Sequence, residues 1–384
     1  MKIRDFGVEI WMNEFENRCE FNLAETCVAS LTIDELLRLA GRNDTALSEL
    51  LPMKLTYGAI DGSDRLRDAI CGLYSRQKRK NVIVTHGTIG ANALIYETLV
   101  SPGDHVISVH PTYQQHYSIP ESYGADVDLL HLREANGFLP DLDELRAIMR
   151  PATRLIAINN PNNPTGSLMD RAFLQKVAEI AHQSGAYVIC DEVYRGIDQQ
   201  GDGFTVSMAD VYERGISTAG VSKVFSLAGL RLGWIAAPED VIEQVSRHRD
   251  YNTISVGMIN DHFASMALEA KDKILARSRE ITRTNLAVLE EWVSGEPSVS
   301  WVKPASATIT LLKYRFDMSS KEFCVRLLKE TGVLFTPGSA LDMEGYVRVG
   351  FANDPAILRS GLAKVSEFLS KLREREAKSL PKLE

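Results

Sequence analysis

Short apolar runs rich in β-branched residues alternate with segments of helical periodicity over the first 240 or so positions. The apolar runs predict strands over residues 81–85, 105–109, 154–158, 186–190, 216–220 and 232–237. The segments that place apolar residues at helical spacing are 88–100, 141–149 and 170–184. Because strand–helix–strand order connects parallel strands, this pattern predicts an α/β fold with a mostly parallel central sheet covered on both faces. Ligands of such sheets bind outside the carboxyl ends of the strands.

The pattern changes near residue 257 and predicts a second, smaller unit of α+β type. The predicted elements are a long helix over 257–293, a strand pattern over 299–316, amphipathic helices over 320–331 and 355–374, and strands near 333–336 and 346–351. We therefore predict three parts: a large domain of residues 46–256, a long connecting helix over 257–294, and a small domain of residues 295–384 joined by 1–45, which begin as an N-terminal arm.

Composition excludes several classes of protein. The 384 residues are 45% hydrophobic and carry a net charge of −8, which argues against nucleic acid or an anionic membrane as a partner. No apolar run reaches transmembrane length, and the first ten residues lack the layout of a signal peptide, so we expect a cytoplasmic protein. The five cysteines are scattered without C-x-x-C spacing, so neither a disulfide framework nor a metal site is predicted.

Four chemically distinctive features stand out, three of them at or near strand ends and the fourth within a strand. They are the turn NNPNNPTG (159–166), Asp191 in CDEVY, Lys223 in GVSKVFSLAGLRLGW, and Arg348 within the apolar strand YVRVGFA. A carboxylate leaving a buried strand is costly unless it pairs with a cation, and an arginine inside an apolar strand needs an anion. Taken alone, the turn has a simpler interpretation, because Asn, Pro and Gly dominate tight turns.

A fifth feature predicts recognition of a phosphate group. The sequence THGTIGAN (85–92) follows a strand and opens a helix, so its free backbone N–H groups and Thr88 form an anion site at a helix N-terminus. It lacks the G-K-[ST] ending of an ATP-binding P-loop. Pyridoxal 5′-phosphate is the one ligand that uses a lysine, a carboxylate and a phosphate site together.

These motifs resemble those of the class I/II aminotransferases, the fold type I family of pyridoxal-phosphate enzymes. SKVFSLAGLRLGW (222–234) matches the family pattern S-K-x-[FY]-S-[LA]-x-G-x-R-[LI]-G-W, and NNPTG and DEVY precede it in the family's order and spacing. The resemblance covers about residues 50 to 355. It implies the fold type I architecture, pyridoxal 5′-phosphate as cofactor, an L-amino acid as substrate and a homodimer.

The resemblance also implies a role for each matching residue. Lys223 would form the Schiff base, Asp191 would hold the ring nitrogen protonated, and Arg348 would bind the substrate α-carboxylate. The remaining cofactor contacts it implies are Asn163 and Tyr194 at the ring oxygen, Tyr113 against the ring face, and Thr88, Ile89, Gly90, Ser222, Arg231 and the partner subunit's Tyr57 at the phosphate. Asn163 would also contact the substrate. In many relatives a serine stands three residues before the lysine, whereas this chain has Gly220, so one phosphate contact is missing or replaced.

The implied mechanism passes through a quinonoid, and three fates of that species stay open. Protonation at the cofactor carbon gives transamination, reaction with O2 gives oxidative deamination, and elimination gives cyclisation. The segments LPMKLTYGAIDGSDRLRDAI, VTHGTIGANALIY, FLPDLDELRAIM and HRDYNTIS resemble the subgroup of capreomycidine synthase and the O2-dependent arginine oxidases of natural-product pathways. Oxidation of L-arginine is therefore our first hypothesis. A conventional aminotransferase and a cyclase are the alternatives, and a catalytically silent regulator is a third class.

The N-terminal arm supplies candidates for binding arginine. Its segment FNLAETCVASLT resembles the oxidases, in which the arm closes over the site. A guanidinium needs carboxylate partners, and the arm offers Glu14 and Glu16 and, further on, Glu20 and Glu25. Hydroxylating arginine oxidases carry a histidine in this arm, whereas Cys27 stands near that place here, which argues against hydroxylation more than against oxidation.

Overall fold

A computed structural model describes residues 2–43 and 45–379. Its strands are β1 Phe21–Asn22, β2 Val82–Thr85, β3 His105–His110, β4 Asp126–His131, β5 Thr153–Asn159, β6 Tyr187–Asp191, β7 Gly215–Gly220, β8 Gly233–Ala236, β9 Val299–Trp301, β10 Ile309–Tyr314, β11 Val333–Leu334, β12 Thr336–Pro337 and β13 Tyr346–Gly350. Its helices are α1 Gly7–Phe15, α2 Ile33–Ala40, α3 Ala46–Leu50, α4 Asp64–Cys71, α5 Gly87–Leu99, α6 Gln115–Ser122, α7 Leu142–Ile148, α8 Arg171–Ser184, α9 Met208–Val211, α10 Glu239–Arg249, α11 Met258–Glu269, α12 Lys271–Gly295, α13 Ser320–Thr331 and α14 Pro355–Ser379.

The central sheet has seven strands in the order β2-β8-β7-β6-β5-β3-β4. The strands from β7 to β4 pair in parallel, whereas β8 is antiparallel to both of its neighbours. The predicted α/β fold with a mostly parallel sheet is therefore confirmed. The sequence pattern missed β4, which lies at the edge of the sheet. Its polar residues Asp126, Asp128 and His131 suit a strand with one unpaired, solvent-facing side.

The order of the central strands brings the chemically distinctive residues together. β5 ends at Asn159, β6 ends at Asp191 and β7 ends at Gly220, three residues before Lys223. Asn159 stands opposite Asp191 in the sheet, and Asp191 stands opposite Thr218. Because these strands are parallel and adjacent, their carboxyl ends meet at one edge and present the loops that follow to one cavity.

A second sheet, in the order β12-β13-β10-β9, is antiparallel. The strand pattern predicted over 299–316 proves to be two strands, β9 and β10, separated by a loop. The N-terminal arm joins this part of the chain through β1, which pairs in parallel with β11. Gly350 allows the close approach of the arm, because its amide donates to the Leu23 carbonyl and a side chain at Gly350 would collide with the Glu25 carbonyl.

The prediction of one long helix over 257–294 is wrong in one respect: the structure contains two helices there, α11 and α12. α11 and α12 are separated at Ala270, whose φ of −96° and ψ of 18° leave the α-helical region. α11 packs against α2 and α4, whereas α12 packs against α14 and β9. The two helices therefore pack against different parts of the chain.

The arm is divided between two apolar cores. Trp11 and Leu23 pack with Phe335 and Phe368, whereas Leu36 of α2 packs in the same cluster as Trp234 of β8. The division into domains at residues 46, 257 and 295 stays a proposal. Within residues 2–43 and 45–379, no helix has the length and apolarity needed to cross a membrane, and no group of three or more His, Cys, Asp or Glu side chains is arranged to hold a metal ion.

Candidate active site

A cavity of about 320 Å³ opens at the carboxyl ends of the central strands and is roofed by the N-terminal arm. It brings together most of the side chains that the sequence singled out, namely Glu16, Glu25, Thr88, Ile89, Tyr113, Asn163, Asp191, Tyr194, Ser222, Lys223, Arg231 and Arg348. Four of the predicted residues do not line it: Glu14, Glu20, Tyr57 and Gly90. Tyr57 is 78% exposed in this chain.

Lys223 stands on the loop after β7 and is in contact with the arm. Its Nζ donates to Thr26 Oγ1 at 2.5 Å and lies 3.5 Å from Cys27 Sγ. Burial works to lower the pKa of Lys223, but the nearby Cys27, Tyr194 and Glu25 outweigh burial and raise that pKa above its ordinary value. Burial also raises the pKa of the Cys27 thiol to about 11, so at neutral pH the thiol is un-ionised and a weak nucleophile.

Asp191 is 3% exposed and is held by a set of donors. Asn92 Nδ2 donates to Asp191 Oδ2 at 2.9 Å, and the Val193 amide donates to Oδ1 at 3.1 Å. The Thr218 hydroxyl donates to Asn92 Oδ1 at 2.6 Å, which turns the amide nitrogen of Asn92 toward Asp191. These hydrogen bonds stabilise the carboxylate and fix its direction.

His116 lies behind Asp191 and is fully buried. Its Nε2 is 3.5 Å from Asp191 Oδ2, and its Nδ1 is 2.7 Å from the Tyr96 hydroxyl. The sequence interpretation missed both His116 and Asn92. One signal could have found Asn92, because it follows Thr88 by four positions on the helix predicted there and therefore shares its face.

We expect the variant Asn92→Leu to bind pyridoxal 5′-phosphate about 10- to 100-fold more weakly, because one hydrogen bond to a buried carboxylate is lost. Thr218→Val, which leaves Asn92 present but free to turn, is expected to give a smaller loss in the same direction. Titration of the apoprotein with the cofactor, followed by absorbance, measures both. Equal affinity in Asn92→Leu and the parent protein would show that Asn92 does not support Asp191.

The start of α5 lies at one end of the cavity and has the features of an anion site. The Thr88 hydroxyl is buried and has no hydrogen-bond partner among the described residues, and the Arg231 guanidinium stands where a side chain on Gly87 would lie. The first turn has no side-chain cap, so its backbone N–H groups are available. The structure also explains why Gly220 stands where many relatives have serine. A Cβ at this position would lie 2.6 Å from Thr88 Oγ1, so a serine would displace the threonine.

Arg348 projects from β13 and is 2% exposed. Its Nη1 lies 3.2 Å from Asn163 Oδ1, its Nη2 lies 3.3 Å from Thr336 Oγ1, and its Nε has no hydrogen-bond partner among the described residues. Burial lowers the pKa of Arg348 from its ordinary value. Because these partners are neutral acceptors, the guanidinium has no counter-charge at hydrogen-bonding distance among the described residues, and it suits an incoming carboxylate.

Two tyrosines complete the wall of the cavity. The Tyr113 hydroxyl donates to Glu9 Oε1 at 2.9 Å, and its ring packs against Phe6 at 4.9 Å between centroids. Tyr194 is 1% exposed. Burial raises the pKa of both phenols, so both are un-ionised donors at neutral pH.

The arm brings three carboxylates to the cavity: Glu9, Glu16 and Glu25. Glu9 and Glu16 stand seven positions apart and face the same side of α1 and the turn after it. Glu14 is exposed and does not line the cavity. Burial, together with Glu25 and Glu9, raises the pKa of Glu16. Burial works against ionisation of Glu25, but Lys223 and the amide of Cys27 lower its pKa overall.

The geometry matches the three distinct ends of pyridoxal 5′-phosphate. Lys223 offers an amine for its aldehyde, Asp191 a carboxylate for its ring nitrogen, and the unpartnered Thr88 hydroxyl with Arg231 an anion site for its phosphate. The fold and the site are those of a pyridoxal-phosphate-dependent enzyme, and pyridoxal 5′-phosphate is its cofactor. A family model for the class I and II aminotransferases matches residues 45–364, and the chain belongs to that family.

Comparison with individual proteins gives the same class. Capreomycidine synthase of Streptomyces vinaceus is 30% identical over 366 residues, which are 94% of this chain and 93% of that protein. The arginine–pyruvate transaminase of Pseudomonas aeruginosa is 27% identical and covers 84% of each chain. The crystal structure of a PLP-dependent aminotransferase from Streptococcus suis 89-1591 has a TM-score of 0.94 and 43% identity, and the match covers 97% of this chain and 99% of that one.

Proposed function

We propose that this enzyme acts at the α-carbon of L-arginine and removes its α-amino group by O2-dependent oxidative deamination, as a step in natural-product biosynthesis. The observation that supports L-arginine as the substrate is that Glu9, Glu16 and Glu25 line the same cavity as Lys223 and Arg348. A carboxylate-binding arginine and a group of acidic side chains suit an amino acid whose side chain is cationic. The similarity to an arginine–pyruvate transaminase supports the same substrate.

Each residue would then have a defined task. When bound, the cofactor supplies an electrophilic aldehyde and a ring that accepts electrons from the substrate. Lys223 would hold the cofactor and, once released, move the proton at the substrate α-carbon. Arg348 would bind the α-carboxylate and so orient the α-carbon, and Asp191, fixed by Asn92, would hold the proton of the ring nitrogen.

The fate of the substrate is tested with an oxygen electrode. L-Arginine is added to the holoenzyme with and without a 2-oxo acid. Oxygen uptake without the acceptor is the result expected of an oxidase. Turnover that occurs only with the acceptor would refute oxidation while leaving the arginine site in place, because the substrate would still be consumed.

Two other fates each have an observation in their favour. A conventional L-amino acid:2-oxo acid aminotransferase is supported by the similarity to the Streptococcus suis aminotransferase. A cyclase is supported by the similarity to capreomycidine synthase, which extends over 94% of the chain. Mass spectrometry of the product separates cyclisation from the other two fates, because oxidation and transamination both leave the same 2-oxo acid, whereas cyclisation keeps the α-amino nitrogen. The oxygen electrode then separates oxidation from transamination.

Glu9 offers a direct test of the substrate. We expect Glu9→Gln to raise KM for L-arginine about 10- to 100-fold, because the variant keeps the shape of Glu9 and its hydrogen bond with Tyr113 but removes the charge. Steady-state kinetics with L-arginine measure this change. The matched control is Glu14→Gln on the exposed side of the same helix, which is expected to leave KM unchanged. Equal KM values for both variants would remove Glu9 from the substrate site.

We also propose a cytoplasmic homodimer in which the partner's Tyr57 reaches the phosphate. The support is that Tyr57 is 78% exposed in a segment that also exposes Leu51 (81%) and Leu55 (79%), and that Tyr251 is 94% exposed. Large exposed apolar side chains near one another mark surfaces that another chain covers. Sedimentation equilibrium at the mass of one chain would refute the dimer.

A further inference from the structure

Lys223 is held by one segment of the N-terminal arm both at its backbone and at its amine. At the amine, Nζ donates to Thr26 Oγ1 at 2.5 Å and lies 3.5 Å from Cys27 Sγ. At the backbone, the Lys223 carbonyl accepts from the Val28 amide at 3.3 Å. The arm therefore fixes the place of the amine relative to the backbone of its own residue. Thr26, Cys27 and Lys223 all line the active-site cavity.

The part of the arm that carries Thr26 is itself fixed by hydrogen bonds. The Thr26 carbonyl accepts from the Thr308 hydroxyl, next to β10, at 2.6 Å. One oxygen of Glu25, Oε1, accepts from the amides of Thr26 and Cys27 at 2.6 and 2.8 Å. A lysine side chain is a flexible four-carbon stem, so a hydroxyl on a fixed main chain gives its amine a defined position.

The partner of the amine is a hydroxyl and not a carboxylate. Among the described residues no carboxylate forms an ion pair with Lys223 Nζ, and Oε1 of Glu25 is occupied by two backbone amides. An ionised carboxylate only accepts hydrogen bonds, so it favours the ammonium form of a lysine. A hydroxyl accepts from an ammonium and donates to the lone pair of a neutral amine. It therefore suits a lysine that alternates between the two forms while it carries a proton.

We propose that Thr26 is a positioning residue for the reaction: its hydroxyl holds the Lys223 amine whenever that amine is not bonded to the cofactor, and keeps it within reach of the proton at the substrate α-carbon. This inference rests on the role proposed above for Lys223. The arm meets two of the amine's hydrogen-bonding directions, at Thr26 and Cys27, so the third faces away from the arm and into the cavity. A group that moves a proton has to lie within hydrogen-bond reach of it, and a fixed amine meets that condition in every turnover.

Thr26→Val and Thr26→Ala both remove the hydroxyl. With the holoenzyme and L-arginine, we expect both variants to lower kcat about 10- to 100-fold and to leave KM within about threefold of the parent protein. KM stays because Glu9 and Arg348, and not Thr26, are proposed to bind the two ends of the substrate. Deuterium at the α-carbon is expected to slow these variants more than the parent protein, since proton transfer becomes the limiting step.

Two variants serve as controls. Thr26→Ser keeps the hydroxyl, so its kcat is expected to stay within about threefold of that of the parent protein. Ser30→Ala removes an exposed hydroxyl from the same segment of the arm, and its kcat and KM are expected to stay within about twofold. A role of Thr26 in merely supporting the arm would raise KM and leave the isotope effect unchanged.

A second measurement is independent of turnover. Cyanate carbamylates neutral amines, and mass spectrometry of the peptide that contains Lys223 gives the rate in the full chain freed of cofactor. At about pH 9 we expect Lys223 to react about tenfold faster in Thr26→Val than in the parent protein, because loss of the acceptor lowers the pKa of the amine and raises its neutral fraction. If the parent protein does not consume L-arginine, the proposed function fails and this comparison still tests Thr26.

A loss of kcat that serine restores, together with faster carbamylation, supports the proposal. Undiminished kcat in both hydroxyl-free variants, a loss confined to KM, equal carbamylation rates, or a Thr26→Ser variant as slow as Thr26→Val would each overturn it.

Discussion

Replacing Lys223 by alanine is expected to end covalent attachment of pyridoxal 5′-phosphate and to slow turnover by about 10⁴-fold or more. We propose that the Lys223 amine both carries the cofactor and moves the substrate proton, and proton transfer by one positioned side chain alone contributes up to about 10⁴-fold. Lys223 is the one lysine among the residues that line this cavity, so no neighbouring lysine there can replace it.

The measurement is borohydride reduction of the holoenzyme followed by denaturation and mass spectrometry. The unsubstituted chain is expected to keep the cofactor mass on the peptide that contains Lys223, and Lys223→Ala is expected to lose it. The control is Lys80→Ala, an exposed lysine paired with Glu239, which is expected to keep both the adduct and full activity. A stable adduct in Lys223→Ala, or undiminished turnover, would refute the assignment.

The residues found from the sequence are those that follow strands. Asn163 and Lys223 follow β5 and β7, and Asp191 is the last residue of β6. These strands are adjacent and parallel, so the positions of the three residues along the chain were enough to predict that they share one cavity. Arg348 was found for another reason. Burying an unpaired cation in an apolar core costs much free energy, so an arginine within an apolar strand indicates from the sequence alone that it binds an anion.

The residues missed from the sequence are those whose partners come from distant segments. His116 contacts Asp191 across 75 positions and stands on a helix with no distinctive motif. Asn92 contacts Asp191 across 99 positions and ends the stretch THGTIGAN, which the sequence indicates only as a phosphate site. Glu9 was missed, and Glu14, which the sequence interpretation chose, does not line the cavity, because the phase of α1 relative to the cavity is set by packing. Trp11 fixes that phase, since it is buried and its indole N–H donates to the Phe335 carbonyl.

The arm also explains why the catalytic centre cannot be understood from the large domain alone. Thr26 and Cys27 contact the Lys223 amine, and Glu9 bonds to Tyr113. The arm is itself held in two places: β1 pairs with β11, and the Leu23 carbonyl accepts from the amide of Gly350, the last residue of the strand that carries Arg348. Arm, lysine and arginine are thus positioned by one another, so a change in β13 is expected to act at the same place as a change in the arm.

Arg348→Lys is expected to raise the dissociation constant for L-arginine about 10²- to 10⁴-fold. Lysine keeps the positive charge but loses the planar fork, and two hydrogen bonds to a charged group contribute about 3–6 kcal/mol together. We propose that the fork binds the substrate α-carboxylate, since the guanidinium is buried and its Nε lacks a partner among the described residues. Calorimetric titration of the variant with L-arginine measures the loss.

Agmatine, which is arginine without its carboxylate, separates recognition of the substrate from a structural role. If Arg348 binds the carboxylate, Arg348→Lys should weaken the binding of L-arginine. The dissociation constant for agmatine should then stay within about threefold of that of the parent protein. If Arg348 only supports Asn163 and Thr336, the affinities for both ligands should fall together, because the whole wall of the cavity would shift. Parallel losses for the two ligands would therefore contradict the carboxylate role, and a loss confined to L-arginine would establish which end of the substrate faces β13.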